Sequence, residues 1–102
     1  MELQEFNEIL ENNNMVVLKC GAEWCSPCKT MEPIIESVAE QFKDKVHVET
    51  IDVDDSPDIS TQYRVRSIPT MLFFKNGELK DKSVGAMSES ELINRINNLI
   101  EQ

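Results

Sequence analysis

Residues 15–20, MVVLKC, are apolar except for Lys19, and the run is rich in β-branched residues and short. Such a segment reads as a strand. A strand apolar on both alternating faces leaves no side for water, so it belongs in a sheet covered by helices on both sides. The flanking segments supply the helices. Leu3, Phe6, Ile9 and Leu10 recur at helical spacing ahead of the polar Asn12-Asn13-Asn14 connection. Residues 26–42 carry a second helical stripe of Met31, Ile34, Ile35, Val38, Ala39 and Phe42. Pro27 falls in that helix's first turn, where a missing N–H costs nothing, whereas Pro33 lies inside it and predicts a kink.

The second half continues the alternation. Residues 46–53 alternate as a strand, and Ser56-Pro57-Asp58 signals the cap of a short helix through Ile59 and Tyr63. Residues 71–74 and 79–84 read as strands joined by an Asn76-Gly77 hairpin turn, with Gly85 ending the second. Ser88 and Glu91 predict a capping box before Leu92, Ile93, Ile96, Leu99 and Ile100. The order αβαβαββα, with right-handed crossovers, predicts a three-layer α/β domain whose parallel pairing is completed by an antiparallel hairpin.

A chain of 102 residues implies one domain, spanning 1–102, with no repeats or linker-like runs. Its 10 basic and 19 acidic residues give a net charge of −9, which argues against nucleic acid and against an anionic membrane surface. No apolar run approaches the length of a membrane span, and the first residues lack the basic-then-apolar order of a signal peptide. Three cysteines are an odd set for a secreted disulfide framework, and the expected location is the cytoplasm.

The chemistry concentrates at Trp24-Cys25-Ser26-Pro27-Cys28-Lys29, between a strand end and a helix start. Cysteines three apart at a helix N-terminus lie one turn from each other, so their sulfurs can meet. Cys25 sits by the free N–H groups and positive end of the helix dipole, which favour its thiolate and make it the expected nucleophile. Cys28, one turn inside, is the expected resolving thiol. Pro27 limits the freedom of the turn between them.

These residues resemble those of the thioredoxin family. The resemblance runs from Phe6 to the last helix. It rests on Ala22-Glu23-Trp24-Cys25-Ser26-Pro27-Cys28-Lys29, Pro33-Ile34, Val53-Asp54, Val65-Arg66-Ser67-Ile68-Pro69-Thr70, Phe74-Lys75-Asn76-Gly77 and Val84-Gly85-Ala86. It implies a thioredoxin fold with a central mixed sheet of about four strands. It implies a cis bond before Pro69, facing the cysteines, and strand-like substrate pairing by the backbone of Ile68. Trp24, Ile68, Gly85 and Ala86 would form an apolar patch that receives partners. The implied activity is protein disulfide reduction through a Cys25–Cys28 dithiol, in cell redox homeostasis and electron transfer to target proteins. No bound cofactor or metal is implied; electrons would come from a thioredoxin reductase, a flavin enzyme drawing on NADPH. Partners would be that reductase and disulfide-containing proteins, met by a monomer.

The sequence departs from the family pattern in three places. Ser26-Pro27 stands where Gly-Pro is usual, placing a hydroxyl beside Cys25. Lys19 occupies the position of a buried aspartate below the resolving cysteine, and Thr50 that of an accompanying lysine. Lys19 is therefore a candidate for tuning Cys28, either as a charge beside its thiolate or as a neutral amine taking its proton, with Glu23 as a rival acceptor. A snorkelling or salt-bridged lysine is the ordinary alternative. Finally, the family's N-terminal edge strand is truncated to Met1–Gln4, which predicts that strand 46–53 is a sheet edge.

Other readings compete at some of these residues. Cys25 and Cys28 with Cys20 and His47 would be four zinc ligands in principle, but their spacing matches no compact knuckle. Cys20, alternating with Val16 and Leu18, reads as a buried structural thiol, and His47 as a surface histidine. A non-catalytic thioredoxin-like docking module is the functional alternative.

Overall fold

A computed structural model describes residues 1–102. Four strands, β1 (Met15–Gly21), β2 (His47–Asp52), β3 (Thr70–Lys75) and β4 (Glu78–Val84), form one mixed sheet in the order β2-β1-β3-β4. β1 pairs parallel with β2 and antiparallel with β3, and β3 pairs antiparallel with β4. All seven residues of β1 are buried, as its two-sided apolarity requires. β2 pairs only with β1 and is an edge, as expected.

Helices α1 (Leu3–Asn12), α2 (Ser26–Gln41), α3 (Pro57–Gln62) and α4 (Glu89–Glu101) cover the two faces. On one side Val17, Met71 and Phe73 pack with Met31, Ile35 and Val38 of α2 and Leu92, Ile96 and Leu99 of α4. On the other, Val16, Leu18, Leu72 and Phe74 meet Phe6 of α1 and Ile59 of α3. The pleat sorts adjacent residues of each central strand into opposite layers.

The turn between β3 and β4 has φ of 54° at Asn76 and 80° at Gly77, the left-handed pair that a two-residue hairpin needs. The expected caps differ in detail. Ser88 Oγ accepts the Glu91 N–H at 3.2 Å, but the Glu91 carboxylate takes the Ser88 hydroxyl instead of completing the box on the backbone. Ser56 stands at the α3 N-cap without capping, and its hydroxyl accepts a bond from the Met1 ammonium at 2.9 Å. At α1, where no cap was expected, the Glu5 carboxylate accepts the Glu2 N–H at 3.2 Å. Pro33 lies inside α2, which runs unbroken through it.

Candidate active site

The site grows from the junction of β1 and α2. β1 ends at Gly21, and the chain turns through Ala22, whose C=O accepts the Cys25 N–H at 3.2 Å. Cys25 becomes the N-cap of α2, and its Sγ accepts the Cys28 N–H at 3.2 Å. That bond uses one of the N–H groups a helix start leaves unpaired, which brings sulfur and helix dipole together. Ser26 and Pro27 fill the first helical positions, both exposed. Cys25 and Cys28 are joined as a disulfide with Cα atoms 5.3 Å apart. Cys25 retains 6% of its surface and Cys28 2%, so the first cysteine is the more accessible.

Trp24 is 70% exposed, and its indole N–H donates to Asp54 Oδ2 at 2.9 Å. Ile68, half-buried, packs on Ala22, Cys25 and Cys28. The Ile68–Pro69 bond is cis, as expected. The Gly85 N–H donates to the Pro69 C=O at 2.8 Å, holding Gly85 and the exposed Ala86 beside that turn. Gly85 has φ of 98°, a conformation open to glycine and strained for other residues. Neither the N–H nor the C=O of Ile68 is bonded within the chain, although both of its neighbouring segments are.

Behind the pair lies Lys19. Its side chain is 3% exposed, and Nζ donates to the Cys28 C=O at 2.9 Å, so the snorkelling alternative is not what the structure shows. Burial lowers its pKa from 10.5, because an ammonium is poorly solvated there, while the charge of Glu32 acts in the opposite direction. Lys19 pairs in register with Thr50, and both line a cleft of 160 Å³ with Glu23, Glu32 and Asp52. The Glu23 carboxylate is exposed and unbonded; its backbone N–H donates to Asp52 Oδ2 at 3.3 Å.

The remaining cysteine and the histidine lie elsewhere. Cys20 is wholly buried in the layer under α1 and α3, and burial raises its thiol pKa from 9.0 to about 12. His47 begins β2, opposite Val16, with Nε2 2.9 Å from Glu49 Oε1. Those two are therefore not brought together with the Cys25–Cys28 pair.

Two residues of the site had no role assigned by the sequence. Asp52 accepts from the N–H groups of Glu23 and Asp54, and Asp54 holds Trp24. Asp54 falls in a segment shared with the thioredoxin pattern, the one signal that pointed toward it.

The Thioredoxin family model matches residues 1–98. A thioredoxin of Rickettsia typhi is 43% identical over 94 residues, covering 92% of this chain and 90% of its own. Oxidised mitochondrial thioredoxin 3 of Saccharomyces cerevisiae superposes with a TM-score of 0.88 at 34% identity, covering 95% of this chain and 90% of its own. A chain from a structure of thiol resolution in yeast mitochondrial 1-Cys peroxiredoxin via the glutathione and thioredoxin systems gives 0.87 at 33% identity, covering 94% and 89%. With a cysteine pair at a strand–helix junction and this extent of likeness, the chain belongs to the thioredoxin family and is a thiol–disulfide oxidoreductase.

Proposed function

We propose that Cys25 is the nucleophile and Cys28 the resolving thiol of a cytoplasmic, monomeric protein-disulfide reductase that carries electrons to target proteins. The Cys25 thiolate attacks one sulfur of a substrate disulfide; a Cys25–substrate bond forms and the other substrate sulfur leaves as thiolate. Cys28, having lost its proton, then attacks Cys25 Sγ. The Cys25–Cys28 disulfide forms and the second substrate sulfur leaves as thiolate. Two electrons pass to the substrate, and two protons complete its thiols.

The observation that carries this reading is the placement of Cys25. It is the more exposed cysteine of the pair, at a helix N-cap, beside a backbone segment whose polar groups are free. The unpaired N–H and C=O of Ile68 suit an extended substrate strand laid across the cysteines, with Trp24, Gly85 and Ala86 as its apolar floor. Ser26 and Pro27 form the turn between the sulfurs. Electrons return to the disulfide from a thioredoxin reductase, a flavin enzyme using NADPH, as the family relationship supports. No helix is long and apolar enough to cross a membrane.

An insulin reduction assay driven by NADPH and a thioredoxin reductase tests this. The wild-type chain accelerates precipitation of the freed insulin chain, and Cys25→Ser abolishes the effect. Cys28→Ser accumulates a mixed disulfide on Cys25. Turnover that survives Cys25→Ser overturns the assignment, and absence of cysteine-dependent turnover in the wild type returns the docking-module reading.

A further inference from the structure

Lys19 is the one residue with an ionisable amine, guanidinium or carboxyl side chain among the buried residues, and no carboxylate forms an ion pair with it. Its single hydrogen bond is to the carbonyl of the cysteine expected to lose a proton during exchange. Gly21 reports how close the two side chains come. A Cβ built on it would lie 3.1 Å from Cys28 Sγ and 3.5 Å from Lys19 Cε, so sulfur and amine arm flank one small space that glycine leaves open.

We propose that Lys19 accepts the Cys28 thiol proton in the second half of the exchange and passes it to solvent through the cleft beside Glu32. This rests on the roles of Cys25 and Cys28 given above. As the Cys28 S–H bond breaks, an N–H bond forms on the Lys19 amine, leaving thiolate and ammonium. The thiolate electron pair forms the bond to Cys25 Sγ, and the pair of the Cys25–substrate bond departs on the substrate sulfur. Solvent protonates that sulfur, and the ammonium returns its proton to water in the cleft.

The surroundings make the amine suitable for this. Burial lowers its pKa, so the amine releases its proton more readily than a solvent-exposed lysine does and is then able to accept one. Glu32 and Glu36 from α2, Glu23 from the loop after β1 and Asp52 from the end of β2 border the adjoining clefts, and Glu32 steadies the ammonium once it forms. The register partners Thr50 and Met71 bring no charge from β2 and β3.

Reaction of the reduced chain with one equivalent of 5,5′-dithiobis(2-nitrobenzoate) separates the two steps. Thionitrobenzoate is released once as Cys25 is capped and again as Cys28 displaces it. Lys19→Met removes the amine, whereas Lys19→Gln keeps a donor for the Cys28 carbonyl but cannot accept the proton. Both variants are expected to slow the second release about tenfold or more at pH 7 and to move its pH midpoint upward, with the first release within about twofold of wild type. Restoration of the wild-type rate and pH profile by Gln overturns the proposal, since the carbonyl bond alone would then suffice. An unchanged second phase in Lys19→Met overturns it as well. Absence of a second release in the wild type would overturn the roles of the cysteines, and this proposal with them.

Discussion

Trp24 and Asp54 are linked across 30 residues by a 2.9 Å bond from the indole N–H to a carboxylate oxygen. The ring is otherwise largely in solvent, so this bond is what fixes its orientation. An exposed bond to a charged acceptor contributes about 0.5–1.5 kcal/mol. Asp54→Ala is therefore expected to raise KM for insulin by about three- to tenfold, with kcat little changed. The rate with a small aromatic disulfide should stay the same, because that substrate reaches Cys25 without the patch. Equal losses with both substrates would place the effect on the cysteines instead.

Cys20 should behave as an inert thiol. Buried under α1 and α3, it has a pKa pushed up to about 12. At pH 8, iodoacetamide is expected to label Cys25 in the reduced native chain and to reach Cys20 only after unfolding, as peptide mapping would reveal. The same shift links stability to pH. Between pH 9 and 12 the unfolded thiol ionises while the folded one keeps its proton, so the unfolded state binds fewer protons and stability falls as pH rises. Cys20→Ala should flatten that alkaline decline in urea titrations, whatever its cost near neutrality. Early labelling of Cys20 in the native chain would show that this layer opens.

Local chemistry makes several elements legible in the sequence. Asn76-Gly77 announces its turn because few other pairs adopt two left-handed residues cheaply, and the buried β1 follows from apolarity on both faces. The Cys25–Cys28 pair is legible because one helical turn brings the sulfurs together. Long-range partners are another matter. Ser56 looked like a cap, yet its hydroxyl serves Met1, 55 residues away. The Glu2–Glu5 contact is not legible because glutamate is not among the usual N-cap residues. The position of Lys19 in the strand marks it out, but its attachment to the Cys28 carbonyl depends on how α2 sits over β1. Asp52 and Asp54 acquire roles only when β2 ends beside the β1–α2 turn, a consequence of parallel pairing.

Phe6 joins the first helix to the layer that encloses Cys20. Fully buried, it meets Tyr63 and Phe74 edge-on, with ring centroids 5.9 and 5.3 Å away. Phe6→Ala deletes the ring and leaves a cavity, at a cost of about 3–5 kcal/mol. Phe6→Leu keeps part of the volume and should cost less. Chemical denaturation monitored through the far-ultraviolet signal measures both. A loss under about 1 kcal/mol for the alanine variant would mean that α1 does not depend on this contact.

Gly21 leaves no room for a side chain beside Cys28. A Cβ at this position would lie 3.1 Å from Cys28 Sγ and 3.2 Å from Cys28 Cβ. Cys28 is fixed by α2, by its bond to Cys25 and by the Lys19 contact, so it has little freedom to withdraw. Gly21→Ala must then push the start of α2 from the sheet or shift β1. Overpacking of this kind costs about 1–3 kcal/mol. Because the intruding methyl would press on both the sulfur and the Lys19 arm, the variant should also slow the second release in the thionitrobenzoate experiment while sparing the first. Stability measured in the reduced and oxidised chains separates the two effects. A loss of stability with the second release intact would mean that the gap serves packing alone.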